Sequence, residues 1–141
     1  MLDNEYIDRL TKWRNFRNTL EVSDDPIQDT IDFYKKVPLT CFHTDPYDPS
    51  TWPDPWQLIS ENLYCEYCIL LGICYTLQLT DRLKSETFEI HIAVDEKKSE
   101  THYLLFVGDV VVGYHDDLYV NKDTLPSTLV SQSVFPMANT Y

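Results

Sequence analysis

The stretch YCEYCILLGIC, Tyr64 to Cys74, decides the fold, because its residues are apolar on nearly every side of a helix. Just upstream, Asp54-Pro55 joins an acidic N-cap to a proline at the first helical position, so the spacing predicts a third helix from Pro55 to about Leu79 or Thr80. A helix with no polar face beyond Leu63 has to be surrounded, and it is expected at the centre of the molecule. The longest apolar run, Leu63 to Leu79, carries Glu66, Gly72, Thr76 and Gln78, which makes it too short and too polar for a membrane span. No membrane partner is expected.

Two helices precede it. Residues Asp3 to Glu21 bring Tyr6, Leu10, Trp13, Phe16 and Leu20 to one face at steps of three and four, with Arg9, Lys12, Arg14 and Arg17 elsewhere. Asp25-Pro26 repeats the capping device and opens a second helix, whose last turn holds Lys35 and Lys36 and which Val37-Pro38 stops. Between the second and third helices lies PLTCFHTDPYDPSTWPDPW, Pro38 to Trp56, with five prolines and two tryptophans. Flexible linkers rarely carry so many large aromatics, so this segment reads as a rigid, ordered loop.

Beyond Thr80 the period changes from helical to alternating. In TFEIHIAVD, Phe88, Ile90, Ile92 and Val94 point one way and Glu89, His91, Ala93 and Asp95 the other, the pattern of a half-buried strand. HYLLFV and VVVGY follow as two more strands, joined at Gly108-Asp109, where glycine suits the first position of a two-residue hairpin turn. A short strand near Leu118 to Val120 and a helical turn at Leu125-Pro126-Ser127 end the chain. The expected architecture is α+β: three helices, the third central and buried, then an antiparallel meander of three to four strands, all in one domain over residues 1–141. Segregation of helices from strands and the presence of only three glycines argue against a parallel nucleotide-binding sheet with a phosphate loop.

Composition fits a packed domain, with 43% hydrophobic and 13% aromatic residues in 141. The net charge of −12, from 23 acids against 11 bases spread along the chain, repels phosphate backbones, so direct nucleic-acid binding is not expected. A sharper reading of the same charge is an acidic decoy that competes with DNA for a basic host protein. The N-terminus lacks the basic and apolar regions of a secretory signal, which predicts reduced cysteines in a cytoplasm.

Three chemistries compete for the cysteines. Cys65 and Cys68 form a CxxC and Cys41 with His43 a CxH, four ligands for zinc, although zinc pairs sit on turns and this CxxC falls inside the expected helix. A redox dithiol needs its first thiolate at a helix N-terminus, and a helix starting at Pro55 puts Cys65 more than two turns inside. At about 100° per residue Cys65 and Cys74 lie on opposite sides of the helix and Cys68 about 60° from Cys65, so the three thiols read as buried filler. Neither a metal site nor a cofactor is expected.

The third chemistry comes with a resemblance. A cysteine on a central helix, followed by antiparallel strands bearing His102 and then Asp116 or Asp117, is similar in order to transglutaminase-like cysteine enzymes over residues 60–117. The resemblance implies a Cys65, His102 and Asp117 triad for acyl transfer or amide hydrolysis through a thioester. His102 is followed by Tyr-Leu-Leu, without the tryptophan usual two places on. A second resemblance lies in the phrases WRNFRNTLE, DPYDPSTWPDPWQLI and LGICYTLQLTDR, which look like small uncharacterised proteins of tailed bacteriophages, T4-like cyanophages in particular, across most of residues 5–120. It implies a phage-encoded protein made in the host bacterial cytoplasm, with a place in the virion left open, and it supplies no active-site residues.

The expected function is therefore that of an accessory or virion-associated protein acting by protein contacts, with the balance against catalysis. The Cys-His-Asp thiol acyltransferase and the acidic decoy are the alternatives. Tyr47, Trp52 and Trp56 are the expected interface, since aromatics on a rigid loop make good anchors. Their competing role is to cover the central helix.

Overall fold

The computed structural model describes residues 4–40 and 44–139. Four α-helices come first: α1 (Asn4–Leu20), α2 (Pro26–Tyr34), α3 (Pro55–Glu61) and α4 (Glu66–Gln78). Five strands follow, β1 (Phe88–Asp95), β2 (Glu100–Val107), β3 (Val110–Val112), β4 (Val120–Asn121) and β5 (Leu129–Pro136), in one sheet of order β4-β3-β2-β1-β5. Every pairing is antiparallel.

The helix starts follow the capping chemistry. Asp25 accepts from the Gln28 N–H at 3.2 Å with Pro26 behind it, and Asp54 forms a reciprocal capping box with Gln57. Gly108 adopts φ +56° in the two-residue turn between Val107 and Val110, as the sequence required.

The expected single third helix is in fact two. Asn62 takes a left-handed conformation (φ 52°, ψ 37°) and ends α3, its N–H bonding the Leu58 carbonyl. Tyr64 then lies extended against the segment after α2: its N–H donates to the Pro38 carbonyl at 3.3 Å and its carbonyl accepts from the Thr40 N–H at 2.9 Å. This parallel bridge holds the chain out of the helix for four residues, and α4 starts afresh with Cys65 as its N-cap. Asparagine is the non-glycine residue that tolerates this conformation best, so Asn62 was the sole local signal.

From Tyr67 to Gln78, α4 is buried at every position except the half-buried Ile69. One side faces α2, and there Gly72 lets Tyr34 approach so closely that a Cβ would lie 2.6 Å from its ring. Thr76 one turn on bonds the Trp13 indole and the Tyr34 hydroxyl, each at 3.0 Å, and returns its own proton to the Gly72 carbonyl. The opposite side packs on the sheet through Ile90, Leu105, Val107 and Val112.

The sheet has a second, smaller core on its outer face, where Ala93, Leu104 and Val111 are covered by Tyr114, Val120, Leu125 and Leu129. The strand count exceeds the expected three to four because β5 pairs along β1 with a register shift at Ile92/Ala93. Its sequence, LVSQSVFP, has a polar middle and mostly exposed side chains, as an edge strand allows, and so carries little alternation to detect.

Candidate functional site

Because α4 begins at Glu66, Cys65 occupies the position in this fold where a thiolate gains most from a helix. The free N–H groups of the first turn and the helix dipole both favour negative charge there. The neutral thiol makes no short capping bond, yet its pKa is pulled well below the ordinary thiol range. The largest cause is a hydrogen bond from the Cys68 thiol, and the backbone N–H groups of Thr44, Cys68 and Tyr67 add to it. Cys68 moves the other way, because it holds the shared proton and is buried, with the Thr44 hydroxyl 3.3 Å from its sulfur. The expectation that Cys65 lies two turns inside a helix is therefore overturned, along with its consequence that the thiols are dispersed and unactivated.

Cys65 is 8% exposed and opens onto a depression of about 340 Å³ whose walls include Thr44, Pro46, Tyr67 and Tyr103. Glu66 and Tyr103 also border a larger cleft of about 500 Å³ between α2, α4 and the β2–β3 end of the sheet. Its apolar wall includes Ile31, Ile69, Leu70, Ile73 and Val112, and Glu66, Asp116 and Asp117 bring acid to its rim.

The register of β2 puts His102 and Tyr103 on different faces of the strand, although both border the larger cleft with Glu66, Asp116 and Asp117. Ile92 pairs with Tyr103 and Ala93 with His102, so Tyr103 shares the α4 face with Leu105 while His102 belongs to the outer face with Leu104. The Tyr103 ring packs edge-on to Tyr67 at 5.4 Å, next to the Cys65 depression. Its phenol is made less acidic by burial first and then by the negative surroundings of Tyr47, Glu66 and Cys65. The His102 ring lies 5.4 Å from that of Tyr114, and its Nε2 is 3.5 Å from Glu100. Asp117 is tied to α2, its carboxylate 3.3 Å from Lys35 Nζ and its carbonyl accepting from the Gln28 amide at 2.7 Å. Asp116 lies on the rim of the larger cleft. His91 stacks on Phe106 at 4.0 Å and bonds Ser131, an ordinary sheet position.

Alternation alone grouped His102 with Leu104 and Phe106, but HYLLFV is apolar on both faces, so only the strand pairing shows which face meets α4. Tyr103 and Thr44 were missed for that reason and because Thr44 reaches α4 from a distant loop.

Among the loop aromatics, Trp52 packs 5.3 Å from Tyr67 and 5.1 Å from Phe135, its indole N–H donating to the Asp45 carbonyl at 2.9 Å. Tyr47 and Trp56 are exposed by 54% and 42%. Of the four residues considered as zinc ligands, Cys41 and His43 lie outside the described residues. Among the described residues no three His, Cys, Asp or Glu side chains gather as a metal site.

The fold and site define an α+β protein in which an activated thiol heads a buried helix packed on an antiparallel sheet. No family model matches the chain, and no curated protein does. Among solved structures it is similar to LapG of Legionella pneumophila in its calcium-bound form, with a TM-score of 0.65 and 15% identity over 95% of this chain and 77% of that one. At that identity the likeness speaks for the fold. No helix among the described residues is long and apolar enough to cross a membrane.

Proposed function

We propose that this chain is a phage-encoded accessory or virion-associated protein on a transglutaminase-like scaffold, acting by protein contacts at the larger cleft and not by acyl transfer. The observation that carries the reading is that Tyr103, and not His102, lines the depression onto which Cys65 opens. His102 borders the larger cleft and not the Cys65 depression, its Nε2 lies 3.5 Å from Glu100, and Asp117 is engaged by Lys35, which supports the binding reading over the triad. The LapG-like architecture supports the scaffold assignment, and the phrase resemblance supports the phage origin.

The partner that suits the cleft is a protein segment with an apolar side chain flanked by lysine or arginine. Seven aliphatic residues line the cleft, Glu66, Asp116 and Asp117 add acid, and its lysine, Lys35, is already engaged by Asp32 and Asp117. The overall charge of −12 steers such a partner toward the protein. Exposed Tyr47, close enough to Tyr103 to influence its phenol, extends the surface past the Cys65 depression.

The test is affinity capture from infected host cells with the wild type, Ile69→Asp and Cys65→Ala, followed by binding measurements with the purified partner. Cys65→Ala is expected to retain the partner, and Ile69→Asp to lose it with an unchanged circular dichroism spectrum. Cys65-dependent release of amine from peptide or glutamine amides would replace this reading with the thiol acyltransferase. That alternative draws on one observation, the thiolate at the head of α4, and it needs a base other than His102. Mass spectrometry of purified virions separates a virion component from a host-directed factor.

A further inference from the structure

Cys68 plays no part in partner binding or in acyl transfer, yet it is the group that most perturbs Cys65. We propose that the head of α4 is a thiol–disulfide exchange site, with Cys65 the attacking thiol, Cys68 the resolving thiol and a low-molecular-weight disulfide of the glutathione class as co-reactant.

The geometry assigns the two roles. Cys65 at the N-cap and Cys68 three residues on sit one turn apart, a spacing that brings Cα atoms to about 5–6 Å, within the range a disulfide spans. Both thiols are free, and Cys68 is the largest cause of the lowered Cys65 pKa. Access is unequal: Cys65 opens onto the depression, whereas Cys68, 4% exposed, contacts the Thr44 hydroxyl and does not line it. Tyr67 also walls the depression, 2% exposed and with no hydrogen-bond partner for its buried hydroxyl among the described residues. The break before α4 removes the obstacle to a dithiol that a helix running unbroken from Pro55 would have imposed.

In the reaction the Cys65 thiolate attacks one sulfur of the disulfide RSSR, forming Cys65–S–SR and expelling RS⁻, which takes a proton. Cys68 loses its proton to solvent and attacks the Cys65 sulfur, forming the Cys65–Cys68 bond and releasing the second RS⁻. The protein dithiol gives up two electrons and two protons, and RSSR becomes two RSH. The reverse sequence reduces the protein.

The experiment incubates the full chain with oxidised glutathione at neutral pH, quenches with N-ethylmaleimide, and reads intact mass and peptide maps. Wild type is expected to lose two hydrogens in a Cys65–Cys68 bridge while Cys74 remains a free thiol. Cys68→Ser is expected to accumulate one glutathione on Cys65 that persists where the wild type resolves it, and Cys65→Ser to stay unmodified at Cys68. Wild type that remains fully reduced, a Cys65–Cys41 bridge, or glutathione retained on wild-type Cys65 overturns the proposal. Cys68→Ala repeats the trapping step if Cys68→Ser fails to fold. Because no partner protein is used, the result is independent of the cleft reading.

Discussion

The head and the interior of α4 carry the same residue type in opposite chemical states. At its head, Cys65 is a thiol made acidic by the Cys68 hydrogen bond and by unsatisfied N–H groups, opening to solvent. Nine residues on, Cys74 is 0% exposed and burial alone pushes its ionisation up. The lesson is that position along a helix, and not the apolar character of the surrounding sequence, decides whether a cysteine is filler or a reagent. The head is held open by contacts with the loop after α2, while the middle is closed by Trp13, Tyr34 and Thr76.

The largest test of this contrast is alkylation. Iodoacetamide is expected to modify Cys65 at least ~10³-fold faster than Cys74, since the latter reacts only from opened molecules. The sign of the pH dependence follows from the lowered pKa: the thiolate survives as pH falls below 7, so the Cys65 rate should hold there while an ordinary thiol slows about tenfold per unit. Peptide mapping over a pH series reads both, and a Cys65 rate that falls tenfold per unit from pH 8 would dissolve the comparison.

Breaking the closed middle comes next. Trp13→Ala removes a buried indole and its bond to Thr76 and is expected to cost about 3–5 kcal/mol in urea unfolding. Gly72→Ala is expected to cost about 1–3 kcal/mol, because the new Cβ must displace the Tyr34 ring, itself anchored at Thr76. Conditions that keep either variant folded should preserve the Cys65 rate, since neither change touches the head.

The smallest stability change is expected at the break itself. Asn62→Ala places a Cβ-bearing residue without a local hydrogen-bonding side chain at φ 52° and should cost about 1 kcal/mol, with Asn62→Gly close to neutral. If the break is what activates Cys65, Asn62→Ala should also slow its alkylation while Asn62→Gly leaves it unchanged. Equal rates in both variants would assign the activation to Cys68 alone.

Much of this molecule was legible in the chain. Asp25-Pro26 and Asp54-Pro55 announced two helix starts, Gly108 its turn, the alternation of Phe88 to Val94 its strand, and the apolar run after Leu63 a surrounded helix; each is a local preference that neighbours in sequence can satisfy. What the chain could not reveal depended on distant partners. The break before α4 exists because Tyr64 exchanges hydrogen bonds with Pro38 and Thr40, more than twenty residues away. The choice of Tyr103 over His102 for the α4 face follows from strand register, and a one-residue slip would reverse it. Sequence by itself determined that three cysteines would be buried around a central helix; tertiary structure decided that one of them would stand at a helix head, where unpaired N–H groups favour a thiolate and Tyr103 shares its depression.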